Sequence, residues 1–265
     1  MSEIQFATVL PGAKGFKEGN VNETFRGQIL LADGTVKSAV IKDLDHKQLA
    51  NELLASVLAH AADLPAPDAY LALVRGADLV VSKAPRLADG NRLVFASVDV
   101  KVPNITFRAT GASADEQRQL LQDILEWADL GHLYAFDSWI ANIDRHPGNL
   151  LFGGKNEIWL IDHGHCFSGP AWQPNDLNAN GEYRNKLSEW LTGSLNLEQK
   201  RKRSSEVIKF TNVISTIDVS GSSKNSRISA LLPANDVLAV EGFLKDRVNN
   251  VIVQSNKALG VPVLV

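Results

Sequence analysis

The stretch from Ala141 to His165 leaves the chain few ways to fold. It opens on a polar cluster, Ala141-Asn142-Ile143-Asp144-Arg145-His146-Pro147-Gly148-Asn149. Two short apolar runs follow, Leu150-Leu151-Phe152 and Ile158-Trp159-Leu160-Ile161, joined by Gly153-Gly154-Lys155-Asn156. A second polar cluster, Asp162-His163-Gly164-His165, closes it. Two β-like runs around a Gly-rich turn read as a hairpin, and a hairpin brings the chain back to where it started. Asp144 and Asn149 then share one turn, and Asp162 returns to the same cleft. An isolated Asp-x₄-Asn is ordinary turn chemistry. Joined to the hairpin and a second carboxylate, it supplies what phosphoryl transfer needs. That chemistry requires a carboxylate to orient an attacking hydroxyl and accept its proton, oxygen ligands for Mg²⁺, and a cation on the nucleotide phosphates.

The cation has a candidate upstream. Ala39-Val40-Ile41-Lys42 ends a predicted strand, and Glu52 sits ten residues on, within Leu49-Ala50-Asn51-Glu52-Leu53-Leu54. A helical Glu normally faces water. Its apolar neighbours here call for a partner, and Lys42 is the natural one. In order and spacing, the strand lysine, helix glutamate, Asp-x₄-Asn and Asp-x-Gly match the motifs of protein kinases.

The surrounding pattern gives these motifs their elements. Gln5 to Leu10, Phe25 to Leu31 and Val36 to Lys42 read as strands, the last two around Ala32-Asp33-Gly34-Thr35. Leu49, Leu53, Leu54, Val57 and Leu58 predict a helix over 46–62, stopped by Leu64-Pro65-Ala66-Pro67. Tyr70 to Val74 and Leu79 to Val81 read as an antiparallel pair, and residues 84 to 112 as loop. Ser113-Ala114-Asp115-Glu116 is a capping box that opens a helix to about Leu130, followed by another from Gly131 to Asn142. Helices are expected near Tyr183 to Leu191, Leu197 to Ile214 and Ala234 to Leu259, with Ser220-Gly221-Ser222-Ser223-Lys224-Asn225 as a polar linker. A β-rich half followed by a helical half is an α+β signature. The expected architecture is a bilobal protein-kinase-like fold, one kinase domain with a β-rich N-lobe at 1–84 and a helical C-lobe at 85–265.

Phe136-Asp137-Ser138-Trp139-Ile140-Ala141-Asn142-Ile143-Asp144-Arg145-His146-Pro147-Gly148-Asn149 resembles the catalytic loop of the HipA-like kinases. Together with Ile161-Asp162-His163-Gly164-His165, it is also similar to the loops of phosphatidylinositol kinases. The resemblance spans roughly Gly27 to Phe167. It implies an ATP-dependent phosphotransferase that uses Mg²⁺ or Mn²⁺. Asp144 would be the base, Asn149 and Asp162 the metal ligands, Lys42 the phosphate lysine with Glu52 as its partner, and Asp137 a brace for the loop. Lys14 and Gly15, in the Pro11-to-Gly19 stretch, are candidates to cover the phosphates, although that stretch has no clean Gly-x-Gly-x-x-Gly. The implied acceptor is a Ser or Thr hydroxyl of an unidentified protein. Further implications are toxin-like behaviour, an antitoxin-like or regulatory partner, and autophosphorylation at Ser168 or among Ser220, Ser222, Ser223 and Ser226. The chain is shorter than full-length HipA toxins and reads as lacking their additional N-terminal subdomain.

Composition narrows the field. With 27 Lys+Arg against 30 Asp+Glu, a net charge of −3 gives no case for direct nucleic-acid binding. Lys200-Arg201-Lys202-Arg203 reads as a solvated helix face. Cys166, the only cysteine, is expected to be a buried, inert thiol. There is no signal-like N-terminus, bilayer-length apolar run or polybasic membrane patch, so the chain reads as cytoplasmic. Three rival readings remain: a di-metal phosphoesterase using Asp144, His146, Asp162, His163 and His165, a pseudokinase or nucleotide-binding scaffold, and a lipid or small-molecule kinase.

Overall fold

A computed structural model of the chain describes residues 3–16, 22–154 and 157–262. Lys17 to Gly19 of the Lys/Gly-rich stretch, and Lys155 and Asn156 of the hairpin turn, lie outside the described residues.

The chain first builds a six-stranded sheet from β1 (Gln5–Val9), β2 (Lys14–Gly15), β3 (Thr24–Leu31), β4 (Val36–Lys42), β5 (Ala69–Val74) and β6 (Arg92–Val98). The strand order is β1-β5-β6-β4-β3-β2, and β1 also pairs with β3, so five strands close on themselves. β1 runs parallel to β5 and antiparallel to β3, with Val9 opposite Ile29. Alternation along each strand sends Val9, Ile29, Ala39, Ile41, Ala72 and Val94 into a shared core within the sheet. Lys42 follows Ile41 and therefore faces the other way, towards α1 (His46–Ala61), whose Asp45 N-cap accepts from the Gln48 N–H at 2.9 Å.

Two expectations are corrected here. Leu79 to Val81 is not a strand, and β5 pairs instead with β6, which lies in the stretch expected to be loop. The start of that run is folded into a turn, with the Asp78 and Leu79 N–H groups both directed at the Arg75 carbonyl, and Asp43 claims the donors that follow. Its buried carboxylate accepts the backbone N–H groups of Ser82 at 2.7 Å, Lys83 at 3.1 Å and Ala84 at 2.7 Å. Those donors wrap an anion and so cannot form a ladder. Leu79 and Val81 still bury their side chains in the sheet core. The sheet consequently includes residues beyond 84.

From residue 105 onwards helices dominate: α2 (Ile105–Ala109), α3 (Ala114–Glu126) and α4 (Leu130–Trp139). The Ser113/Glu116 capping box forms as read. β7 (Leu150–Gly154) and β8 (Glu157–Leu160) form the expected antiparallel hairpin, with Leu150 opposite Leu160. Then come α5 (Lys186–Leu191), α6 (Leu197–Ser215), α7 (Val219–Asn225), α8 (Ala234–Arg247) and α9 (Val251–Leu259). The single helix expected over 234–259 is broken by a 3₁₀ turn at Val248–Asn250. The polar linker is in fact helix α7, with Ser222, Ser223 and Ser226 buried. The basic run is likewise not wholly solvated. Arg203 is buried, donates to Glu206 at 2.8 Å and to the Leu125 carbonyl at 2.6 Å. A large apolar core joins α1 to the helices through residues such as Leu53, Leu133, Phe136, Trp139 and Leu244. Among the described residues, no helix is long and apolar enough to cross a membrane.

Candidate active site

Three pieces meet beside α1: the end of β4, the 142–149 loop and the 161–165 loop. Lys42 is 9% exposed, and its ammonium lies 2.6 Å from Glu52 Oε1 and 3.1 Å from Asp162 Oδ1. The other oxygen of Glu52 accepts the backbone N–H of His163 at 2.9 Å. Glu52, 1% exposed, thus links β4 to the loop after the hairpin. Burial opposes the charge of Lys42, but Asp162 and Glu52 outweigh it and hold the ammonium above the usual lysine range. Burial likewise opposes the charge of Glu52. Lys42, with help from His163, overrides it and holds the carboxyl well below the usual range.

The 142–149 loop is braced from beneath. Asp137, on the last turns of α4, accepts both Arg145 Nε at 3.0 Å and Nη2 at 3.1 Å, and the amide of Asn142 at 3.0 Å. The remaining nitrogen of Arg145 donates to the carbonyls of Asn149 at 3.0 Å and Ile161 at 2.7 Å. One guanidinium therefore ties the two polar loops together, and both members of the ion pair have wholly buried side chains. The expected bracing role of Asp137 corresponds to a real contact. The role of Arg145 was missed, although it stands next to Asp144 in the motif.

Asn149 is buried and donates Nδ2 to the Asp144 carbonyl at 2.8 Å, which leaves Oδ1 as a hard oxygen donor. Asp162 has its side chain 45% exposed and a left-handed backbone (φ 60°), a conformation Asp tolerates better than most residues. An amide oxygen and a carboxylate suit Mg²⁺ or Mn²⁺, and the donor set fits such an ion. Asp144 is contacted by Lys186 of α5 through Oδ1, and its Oδ2 lies 3.9 Å from His146 Nε2. Gly148 packs closely on its neighbour: a Cβ there would come within 2.7 Å of the His146 ring and push it aside.

The histidines do not assemble a metal cluster. His146 Nδ1 accepts from the Gly148 N–H at 3.1 Å. His163 is buried against Phe136 and Glu52, and burial lowers its pKa below the usual histidine range. Among the described residues, no group of three or more His, Cys, Asp or Glu side chains is placed to hold a metal. Cys166 is buried as expected, and burial pushes its thiol well above the usual range.

After Arg145, Asn51 is a second residue of this kind, outside every chemical motif in the sequence. Its Nδ2 lies 2.9 Å from the Gly164 carbonyl, and its Oδ1 accepts the Trp172 indole N–H at 2.9 Å. A polar side chain on the apolar face of α1 was the available signal. Beyond it, Ser168, Gly169, Pro170, Trp172, Asp176 and Tyr183 line a cavity of about 430 Å³ next to the 161–165 loop. Lys14 and Gly15 lie two strands across the sheet from the end of β4, since Gly15 is opposite Phe25 and Phe25 opposite Ile41. They are exposed on β2, paired with Arg26 and Phe25 of β3.

Lys42, Glu52 and Asp162 are in direct contact, and Arg145 ties the loop of Asp144 and Asn149 to that of Asp162, in the chain order of kinase motifs. Among solved structures, the crystal structure of a Helicobacter pylori proinflammatory kinase, CtkA, shares the fold. It matches with a TM-score of 0.54 at 12% identity, covering 89% of this chain and 94% of that one. The family model described as HipA-like kinase matches residues 33–217, more than two thirds of the sequence, and the chain belongs to that family. No curated protein matches it.

Proposed function

We propose that this HipA-like kinase transfers the γ-phosphate of ATP to serine or threonine hydroxyls of a protein, within a bilobal kinase arrangement. The closed sheet and α1 would form the smaller lobe, and the helices from α2 onwards the larger. In this reading Asp144 takes the acceptor proton as the hydroxyl oxygen bonds to the γ-phosphorus. The bond from that phosphorus to the β–γ bridging oxygen breaks, and ADP leaves with the electron pair. Asn149 and Asp162 would hold Mg²⁺ or Mn²⁺, which neutralises charge on the β- and γ-phosphates when bound. Lys42, held by Glu52, would grip the α- and β-phosphates, and Lys14 with Gly15 would cover them from β2.

The observation that carries the reading is the position of Lys42, 2.6 Å from Glu52 and 3.1 Å from Asp162. The Lys42–Glu52 pair is the strand-to-helix link that phosphoryl transfer requires, and Asp162 at its side would be free to turn to a metal ion. The family resemblance favours a protein acceptor.

The test uses radiolabelled ATP with peptide libraries fixed on Ser, Thr or Tyr, and with phosphatidylinositol vesicles. Label is expected on Ser and Thr peptides. Asp144→Asn should lower transfer by about 10²–10⁴-fold with little change in nucleotide affinity. Asp162→Asn should damage both transfer and Mg²⁺-dependent nucleotide binding. Label appearing on the vesicles alone would replace the protein acceptor with a lipid. Equal loss of ATP binding in both variants, with both folded, would remove Asp144 from the role of base.

A further inference from the structure

Lys186 and Asp144 are 42 residues apart, yet the Lys186 ammonium meets Asp144 Oδ1. Lys186 is the first residue of α5. Four residues on, Trp190 donates its indole N–H to the Arg145 carbonyl at 3.0 Å. Residues at i and i+4 lie on one helix face. That face therefore grips two consecutive residues of the 142–149 loop, one by its side chain and the next by its backbone. A six-residue helix has little stability of its own, so packing must hold it. Leu187 and Leu191 are fully buried, Ser188 Oγ donates to the Ala258 carbonyl at 2.7 Å, and Asn185 caps the helix by accepting the Ser188 N–H at 2.9 Å.

We propose that Lys186 is a positioning residue for Asp144, with α5 as its platform and Trp190 as the second anchor. Held at Oδ1, the carboxylate presents Oδ2 to the acceptor hydroxyl. This inference rests on the reading of Asp144 as base. It also separates Lys186 from an ordinary solvent-exposed ion pair, which contributes little and changes no catalytic quantity.

The experiment is a double-mutant cycle on the full chain, using the Ser peptide library and radiolabelled ATP under single-turnover conditions. Lys186→Met should lower kcat by about 10- to 10²-fold, the scale of an ångström-sized misplacement of a reacting group. KM for ATP and Mg²⁺-dependent nucleotide affinity should stay at native values. Lys186→Arg should recover most of the rate, and Trp190→Phe should fall between. In an Asp144→Asn background, Lys186→Met should cause no further loss, because both changes act through one carboxylate. Several results would overturn the proposal: a native or raised rate in Lys186→Met, a loss that follows nucleotide affinity, or an undiminished loss in the Asp144→Asn background. A native rate in Asp144→Asn itself would instead refute the base, and the positioning role with it. If Lys186→Met does not fold, Lys186→Gln and Trp190→Phe carry the same comparison.

Discussion

Arg145→Met is the most informative single change outside the reacting groups. It keeps much of the aliphatic stem and deletes four hydrogen bonds: two to Asp137 and one each to the carbonyls of Asn149 and Ile161. Both side chains of the pair are wholly buried, so solvent cannot replace the guanidinium without opening the loop. Burial by itself works against the Arg145 charge, and Asp137 outweighs it, holding the guanidinium charged. Stranding one member of such a pair costs about 3–5 kcal/mol. A ceiling of similar size exists, because protonating a carboxyl of ordinary unfolded-state pKa at neutral pH costs about 4 kcal/mol. For a chain of this size that corresponds to a melting-point drop of roughly 6–20 °C. Urea unfolding followed by tryptophan fluorescence reports it directly, since Trp139 is buried within the core that α4 joins. Adding Asp137→Asn should recover part of the loss, since the second change removes the stranded charge, and the double variant should be less destabilised than the two single costs summed. Kinase turnover should fall with stability, since the same guanidinium sets the spacing of the two polar loops. An unchanged unfolding midpoint in Arg145→Met would show that the pair does not secure their junction.

Lys42→Met should slow phosphate transfer by about 10²-fold or more in the radiolabelled assay; transfer at the native rate would remove Lys42 from the phosphates. Glu52 should make stability depend on acid. Its carboxyl is held below the usual range in the folded chain, so the stability it adds is complete above the ordinary carboxylate range and drains away as pH falls below it. In Glu52→Gln that part of the acid slope should vanish from urea midpoints taken across the range, and a slope identical to the native one would contradict the assignment. Among the serines proposed for autophosphorylation, Ser222, Ser223 and Ser226 are buried whereas Ser220 is exposed beside Glu241 and Lys245. Mass spectrometry after incubation with ATP should therefore find phosphate at Ser220 or Ser168 and none at the buried three, and phosphate at Ser222 in folded protein would refute that order.

What the sequence made legible follows from the range over which each signal acts. Asp144, Asn149 and Asp162 could be joined in advance because a hairpin of two short strands is a local device, and β7 and β8 pair in the expected way. Lys42 and Glu52 could be joined because strand alternation and helical spacing each fix a face, and ten residues separate them. β6 was hidden by a competing local rule. Short connections favour pairing β5 with Leu79–Val81, but Asp78 and Leu79 turn their N–H groups to Arg75, Asp43 takes those of 82–84, and a later segment fills the ladder. α7 was hidden by composition: serines that read as a linker are small enough to lie buried where α7 packs between α1 and α8. Arg203 shows the same limit, since a basic run carries no sign of which member turns inward to Glu206. Lys186 and Trp190 mark its far end. Nothing within the 184–191 stretch points to the 142–149 loop, and the contact exists only because α5 is docked by Leu187 and Leu191. The groups proposed to bind nucleotide and metal are thus encoded by local spacing. The contacts that would aim them come from tertiary packing, and substitutions in that packing should change turnover before they change nucleotide binding.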